Sequence, residues 1–323
     1  MANVIALPFF LLISLLGIFL LATLFSLDST FSFWGDPYRA GGFLNFALYI
    51  ILAIFSFLTL RSSQWEILWN YIFLISIPIS LIAIFQQFAI FSSIFVPRQE
   101  QIPSTLGGPW ALGMYLILVS FLVLALGIGA KQLPKKLLYL AVFAFFAYTI
   151  FLTVSQAAYL GFGAGIVYFF FFYPHKLKLL KILAGLGIIA MLLIILFLNT
   201  HPGAPLNKNP IVQNVTNWRV DQSRLSAWKV SLEAIKSKPL LGYGPENFSI
   251  GFDKFYDPTL PGIERIPSSA AVTTWWDRAH NVLLDIGVQA GIPAILVYLA
   301  LFGSLLWLLQ KSKRFYAKMP PNK

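Results

Sequence analysis

Trp275-Trp276-Asp277-Arg278-Ala279-His280-Asn281 closes a long polar loop, and the residues that follow, from 281 to 310, are almost all apolar. The stretch reads as a water-to-lipid boundary. Tryptophans favour the head-group level, and the run behind them exceeds the roughly 20 residues a helix needs to cross hydrocarbon. His280 stands there beside Asp277 and Arg278, and an imidazole is the side chain best suited to exchange protons near neutral pH. Alone, such a histidine is equally well an interfacial residue that ends a helix, so its meaning depends on the rest of the chain.

That rest is hydrophobic. Apolar residues make up 58% of the 323 and charged ones 11%, with a mean hydropathy of +0.77, a balance foreign to water-soluble domains of this size. There is no cysteine, which excludes thiol nucleophiles, thiolate zinc sites and disulfides. Three histidines, His175, His201 and His280, lack the spacing of a helical zinc motif.

Apolar runs near 4–27, 43–60, 66–96, 110–130, 137–154, 157–173, 182–198 and 281–310 predict eight transmembrane helices, the third of them interrupted by Pro78 and Gln86-Gln87. The first reads as a retained helix, being longer than a signal-peptide core and lacking a basic flank. The expected fold is an all-α polytopic membrane protein with a large external loop. Its parts are a seven-span bundle over 1–198, an extracytoplasmic loop domain over 199–280, a last span over 281–310 and a basic tail over 311–323.

Threading the loops alternately, with both termini cytoplasmic, places Arg61, Lys131, Lys135, Lys136, Lys176, Lys178, Lys181, Lys311, Lys313, Arg314, Lys318 and Lys323 inside, against Glu66 alone. The formal net charge of +11 is thus a positive-inside signal of a multi-pass membrane protein, with no call for nucleic acid. The bilayer is itself the first implied partner.

Within the external loop, Asp221 to Lys238 reads as a helix stopped by Pro239, with Leu225, Trp228, Leu232 and Ile235 at three- and four-residue steps. The wheel makes these four its buried face, with Arg224 on the border and Arg219 pointing away. A helix of this kind lies flat on the membrane or caps the bundle. Gly242-Tyr243-Gly244-Pro245-Glu246-Asn247-Phe248 follows as a tight turn whose aromatics stack on a sugar or on protein. Gly161 and Gly165, at GxxxG spacing, predict close helix packing.

These segments resemble a known family. Ser223-Arg224-Leu225 with Trp228, then Pro239-Leu240-Leu241-Gly242-Tyr243-Gly244-Pro245-Glu246-Asn247-Phe248, then Ala279-His280-Asn281 and, nine residues on, Gly291-Ile292-Pro293-Ala294, are similar to the motifs of O-antigen ligases and polymerases. Thr105-Leu106-Gly107-Gly108-Pro109-Trp110 and Ser155-Gln156-Ala157-Ala158-Tyr159-Leu160-Gly161 look like its two weaker motifs. The resemblance covers roughly 103 to 303. It implies a GT-C-like membrane glycosyltransferase that takes a glycan from a polyprenyl (undecaprenyl) diphosphate carrier on the outer face of the plasma (inner) membrane, without metal or other cofactor, and passes it to a hydroxyl of a lipid, glycan or protein. The chain departs from the family at Gln156, where an Arg is usual, at Ala294, where a Gly is usual, and in its smaller number of spans.

Such a transfer needs cations for the leaving diphosphate and a base for the incoming hydroxyl. His280 and Arg224 are the expected catalytic pair. The candidate substrate-binding residues are Arg278, Asp277, Asn281, Gln156, Tyr243 and Arg265, with Arg278 or Arg265 standing in for the missing Arg and Asp277 orienting the imidazole, capping a helix or pairing with Arg278. Two other readings compete. A transporter would use a charge deep in a span, here Asp285 alone. An inactive scaffold that binds lipid-linked glycans would tolerate Gln156.

Overall fold

In a computed structural model of the chain, residues 2–37, 39–95, 102–172, 178–200, 222–260 and 276–316 are described. Among them every regular element is a helix: α1 (Ala2–Leu24), α2 (Ser29–Trp34), α3 (Phe43–Thr59), α4 (Ser62–Gln87), α5 (Pro109–Gly129), α6 (Leu133–Leu152), α7 (Gln156–Phe172), α8 (Lys178–Thr200), α9 (Gln222–Ser237), α10 (Phe248–Lys254) and α11 (Val282–Tyr316). Each of the eight apolar runs lies on a helix. Five are long and apolar enough to cross a bilayer: Ala6–Leu24, Ser62–Gln87, Pro109–Gly129, Leu133–Leu152 and Val282–Lys311. The apolar α3 and α7 are 17 residues each, and α8 has 23. The chain is an all-α polytopic membrane protein. The third run is shorter as a helix than expected. It stops at Gln87, and residues 88–95 turn, with Ala89 and Phe91 at positive φ.

The chain divides into two compact units, residues 60–204 and residues 1–59 with 205–323. In the first, α5 is the centre, packed by α4, α6 and α7 around Leu112, Leu116, Val119, Val123, Phe146 and Ile150. Close approach of α7 follows from small residues. Gly113 faces Ala158, while Gly161 and Gly165 face Ile117 and Phe121 of α5, as the GxxxG spacing predicts. The Thr105–Trp110 motif forms the entry to α5, where Gly108 is the N-cap and Pro109 the first helical residue. Pro fits there because its missing N–H has no helical partner at that position.

In the second unit α1 runs antiparallel to α11, with Leu15, Phe19 and Ala22 against Ile286, Ala290 and Ala294. Ala294, the residue replacing a family glycine, is fully buried in this contact. The last span, expected over 281–310, is a helix over Val282–Tyr316 that breaks at Gly291 (φ 79°, ψ 179°).

The break exposes hydrogen-bonding groups, and the Gly-Tyr-Gly turn takes them up. Pro293 has no N–H, so the Gln289 carbonyl loses its helical donor. The Ile292 N–H donates to Pro239 O at 2.8 Å, which frees the Val288 carbonyl. Those two carbonyls accept from Tyr243 N at 2.8 Å and Gly244 N at 2.9 Å. Backbone thus meets backbone, with no room for side chains: a Cβ on Gly242 or Gly291 would collide with the Val288 or Leu240 carbonyl.

Gly291→Ala combines that clash with a backbone conformation that only glycine adopts readily. The expected loss is roughly 2–4 kcal/mol of stability. Thermal unfolding of the detergent-purified variant, with a midpoint well below that of the parent chain, checks it.

Candidate active site

Three segments of the second unit meet at one end of the α1–α11 pair: the loop between α1 and α3, the turn 239–247, and residues 276–281. Sequence chemistry sets each in place. Asp28 caps α2 by accepting from Phe31 N at 2.8 Å. Ser32 donates to Pro245 O at 2.8 Å, and the buried Asn247 amide donates to Ser32 Oγ, Tyr243 O and the Asp28 carbonyl. The first loop is therefore bound to the turn through fully or partly buried hydrogen bonds, which are costly to leave unmade.

His280 sits at a positive φ of 52° with its side chain exposed. That conformation is uncommon for a residue with a Cβ and persists where the surroundings dictate it. The surroundings are specific. The Ala279 carbonyl accepts from Trp228 Nε1 at 2.9 Å, and the Ala279 N–H donates to Asp285 Oδ1 at 2.7 Å. Asn281 opens α11, its Oδ1 accepting from Leu283 N at 3.1 Å and its carbonyl from Asp285 N at 2.9 Å. The Trp276 ring stands edge-on to the imidazole at 5.4 Å. Asp285, the lone charge expected deep in a span, closes this loop near the start of α11, which removes the feature that favoured a transporter.

Arg224 lies on α9 one helical turn before Trp228, and its side chain is exposed. Among the described residues it has no ion pair. The Trp228–Ala279 hydrogen bond thus brings the helix bearing Arg224 against the loop bearing His280. The packed face of α9 differs from the wheel reading. Ala227, Val230, Ser231, Ala234 and Ile235 are buried, whereas Leu225 and Leu232 are 37% and 48% exposed. Small residues admit the neighbouring backbones, and leucines at a bilayer boundary need no protein cover.

The other expected residues sort by burial. Arg278 is paired with Glu246, side chains 16% and 6% exposed, so it is held inward and not presented as a substitute cation. Asp277 pairs with Arg39 at 2.7 Å, not with Arg278. Tyr243 is buried, its hydroxyl 2.7 Å from Ser237 Oγ and Lys238 Nζ 4.7 Å over its ring, so its aromatic face belongs to the protein interior. Gln156 is exposed at the start of α7 in the other unit. Arg265, Trp275 and Arg219 lie outside the described residues.

Arg39, Glu246 and Ser32 escaped the sequence reading. Glu246 sits inside a recognised motif, but its pairing crosses 32 residues. With many charges of both signs in the external segments, no spacing rule assigns partners. On the outward side of α9 a cleft of about 320 Å³ is lined by Lys229, Leu232, Glu233, Lys236, Phe255 and Asp257, among others. The Thr259 hydroxyl and N–H hold the Asp257 carboxyl below its ordinary range. Among the described residues no three His, Asp or Glu side chains converge as a metal site.

An exposed imidazole on a left-handed turn, and an exposed guanidinium on the helix that Trp228 ties to that turn, mark a membrane protein with a candidate polar site at one end of the α1–α11 pair. Residues 140–299 match the family described as O-antigen ligase, and the chain belongs to that family. The matched region holds His280, Arg224 and all the other expected site residues, while Thr105–Trp110 precedes it. No curated protein matches the chain. Membership makes the chain a membrane enzyme of lipid-linked glycan transfer at the family level.

Glu246→Gln leaves the Arg278 charge shielded from water without its partner. It is expected to destabilise the fold by about 3 kcal/mol, and Glu246→Gln with Arg278→Met by clearly less. Chemical denaturation of the parent, the two single variants Glu246→Gln and Arg278→Met, and the double variant, compared as a mutant cycle, reads the difference.

Proposed function

We propose that the chain transfers a glycan from a polyprenyl (undecaprenyl) diphosphate carrier to an acceptor hydroxyl on the outer face of the plasma membrane. The observation that carries this is the Trp228 Nε1–Ala279 O hydrogen bond, which couples the Arg224 helix to the His280 loop. Sidedness draws on the basic residues Lys311, Lys313 and Arg314, at the end of α11 away from His280.

In the reaction the acceptor oxygen forms a bond to the anomeric carbon as the bond from that carbon to the diphosphate oxygen breaks. His280 takes the hydroxyl proton, and the lipid diphosphate leaves as an anion. That leaving group is stable as formed, so the protein's work lies in the base and in cationic contacts to developing charge. Arg224, planar and always charged, suits a phosphate oxygen pair. The transfer is metal-independent in this reading.

A second reading, a scaffold that binds lipid-linked glycan without transferring it, is favoured by the uncharged Gln156. Supplying a polyprenyl diphosphate glycan and a hydroxyl acceptor to the reconstituted protein and weighing the products separates the two: a mass increase of the acceptor means transfer.

His280→Ala is expected to lower the transfer rate by about 10²–10⁴-fold while donor affinity stays near that of the parent. Unchanged turnover by the reconstituted variant would remove the imidazole from the mechanism. Arg224→Lys keeps the charge but loses the two-pronged fork, and donor affinity is expected to fall roughly tenfold. Titration with the lipid diphosphate measures it.

A further inference from the structure

We propose that Arg39 is the second guanidinium on the donor diphosphate, contributed by the loop between α1 and α3. This rests on the reading under Proposed function and names a residue outside the matched region 140–299. A leaving diphosphate carries more negative charge than one Arg224 fork neutralises. The position where the family resemblance expects a further Arg holds Gln156.

Of the other arginines near His280 in sequence or space, Arg278 is turned inward onto Glu246 and is 16% exposed. Arg39 is the opposite case. Its side chain is 45% exposed, and among the described residues its one side-chain partner is Asp277, through a single Nη2–Oδ2 contact of 2.7 Å. Among the described residues the other N–H groups of the fork have no protein partner.

Position supports the role. Asp277 lies three residues before His280, and the chain between them folds back, with the Trp276 and His280 rings 5.4 Å apart. The loop is held on both sides of Arg39: Ser32 donates to Pro245 O, and Gly41 packs so closely over the Arg278–Glu246 pair that a Cβ there has no space. An exposed ion pair such as Arg39–Asp277 holds weakly in water. A diphosphate, with more charge and paired oxygens, competes with Asp277 for the same guanidinium.

The test uses the full-length chain in lipid nanodiscs, titrated with sugar-free undecaprenyl diphosphate and separately with inorganic pyrophosphate. Arg39→Ala is expected to weaken lipid diphosphate binding about tenfold or more, and Arg39→Lys by an intermediate factor. Asp277→Asn removes the competitor and is expected to tighten binding. If Arg39 merely ties the loop to residue 277, Arg39→Ala and Asp277→Asn weaken binding alike, and the proposal is overturned. It is overturned equally if Arg39→Ala binds as the parent does while transfer proceeds, which leaves the proposed function intact. Tight, Arg39-dependent diphosphate binding without any transfer sinks the transferase reading alone. A parent chain that binds neither probe sinks both.

Discussion

Two carbonyl oxygens join the glycine turn to the last span. Gly291 and Pro293 break the last span and strip the Val288 and Gln289 carbonyls of their helical donors, and the N–H groups of Tyr243 and Gly244 replace them. Near hydrocarbon an unpaired backbone oxygen costs several kcal/mol. The broken helix and the glycine turn therefore need one another. Their two motifs, about fifty residues apart in the chain, are one structural device.

The site follows from that joint. Once the turn is docked, α9 lies against α11, Trp228 reaches the Ala279 carbonyl, and His280 is held at a backbone angle it would not choose alone. Glu246, two residues beyond Gly244, is brought under Arg278, and Asn247 reaches back to the α1–α3 loop. Buried charge and buried amide serve to place the segments, and the candidate pair Arg224 and His280 remains exposed. The division is physical. A guanidinium shielded with its carboxylate is a fastener, and one open to water is a ligand in waiting.

The α9 helix shows how the bilayer changes the rules of reading. Its leucines stand at the spacing that marks a core face in water, yet they are partly exposed, and Ala227, Ser231 and Ala234 with Val230 and Ile235 make the packing. Lipid is as apolar as leucine, so membrane packing is led by side chains small enough to let backbones meet. The same rule governs Gly161 and Gly165 on α7, where the spacing read correctly.

Hydropathy alone determined that this is an all-helical membrane protein and roughly where its apolar helices lie, because the cost of an unpaired backbone in hydrocarbon leaves helices as the solution for runs of this length. The motifs singled out His280 and Arg224 as candidates from residue order. Only tertiary structure decided that Tyr243 and Arg278 face inward, that the last span is broken, and that Ser32, Arg39 and Gly41 lie against the segments of the candidate site. Those outcomes depend on pairings between distant segments. Charge and hydrogen-bonding capacity are written in the sequence, but the choice among many possible partners is made by packing.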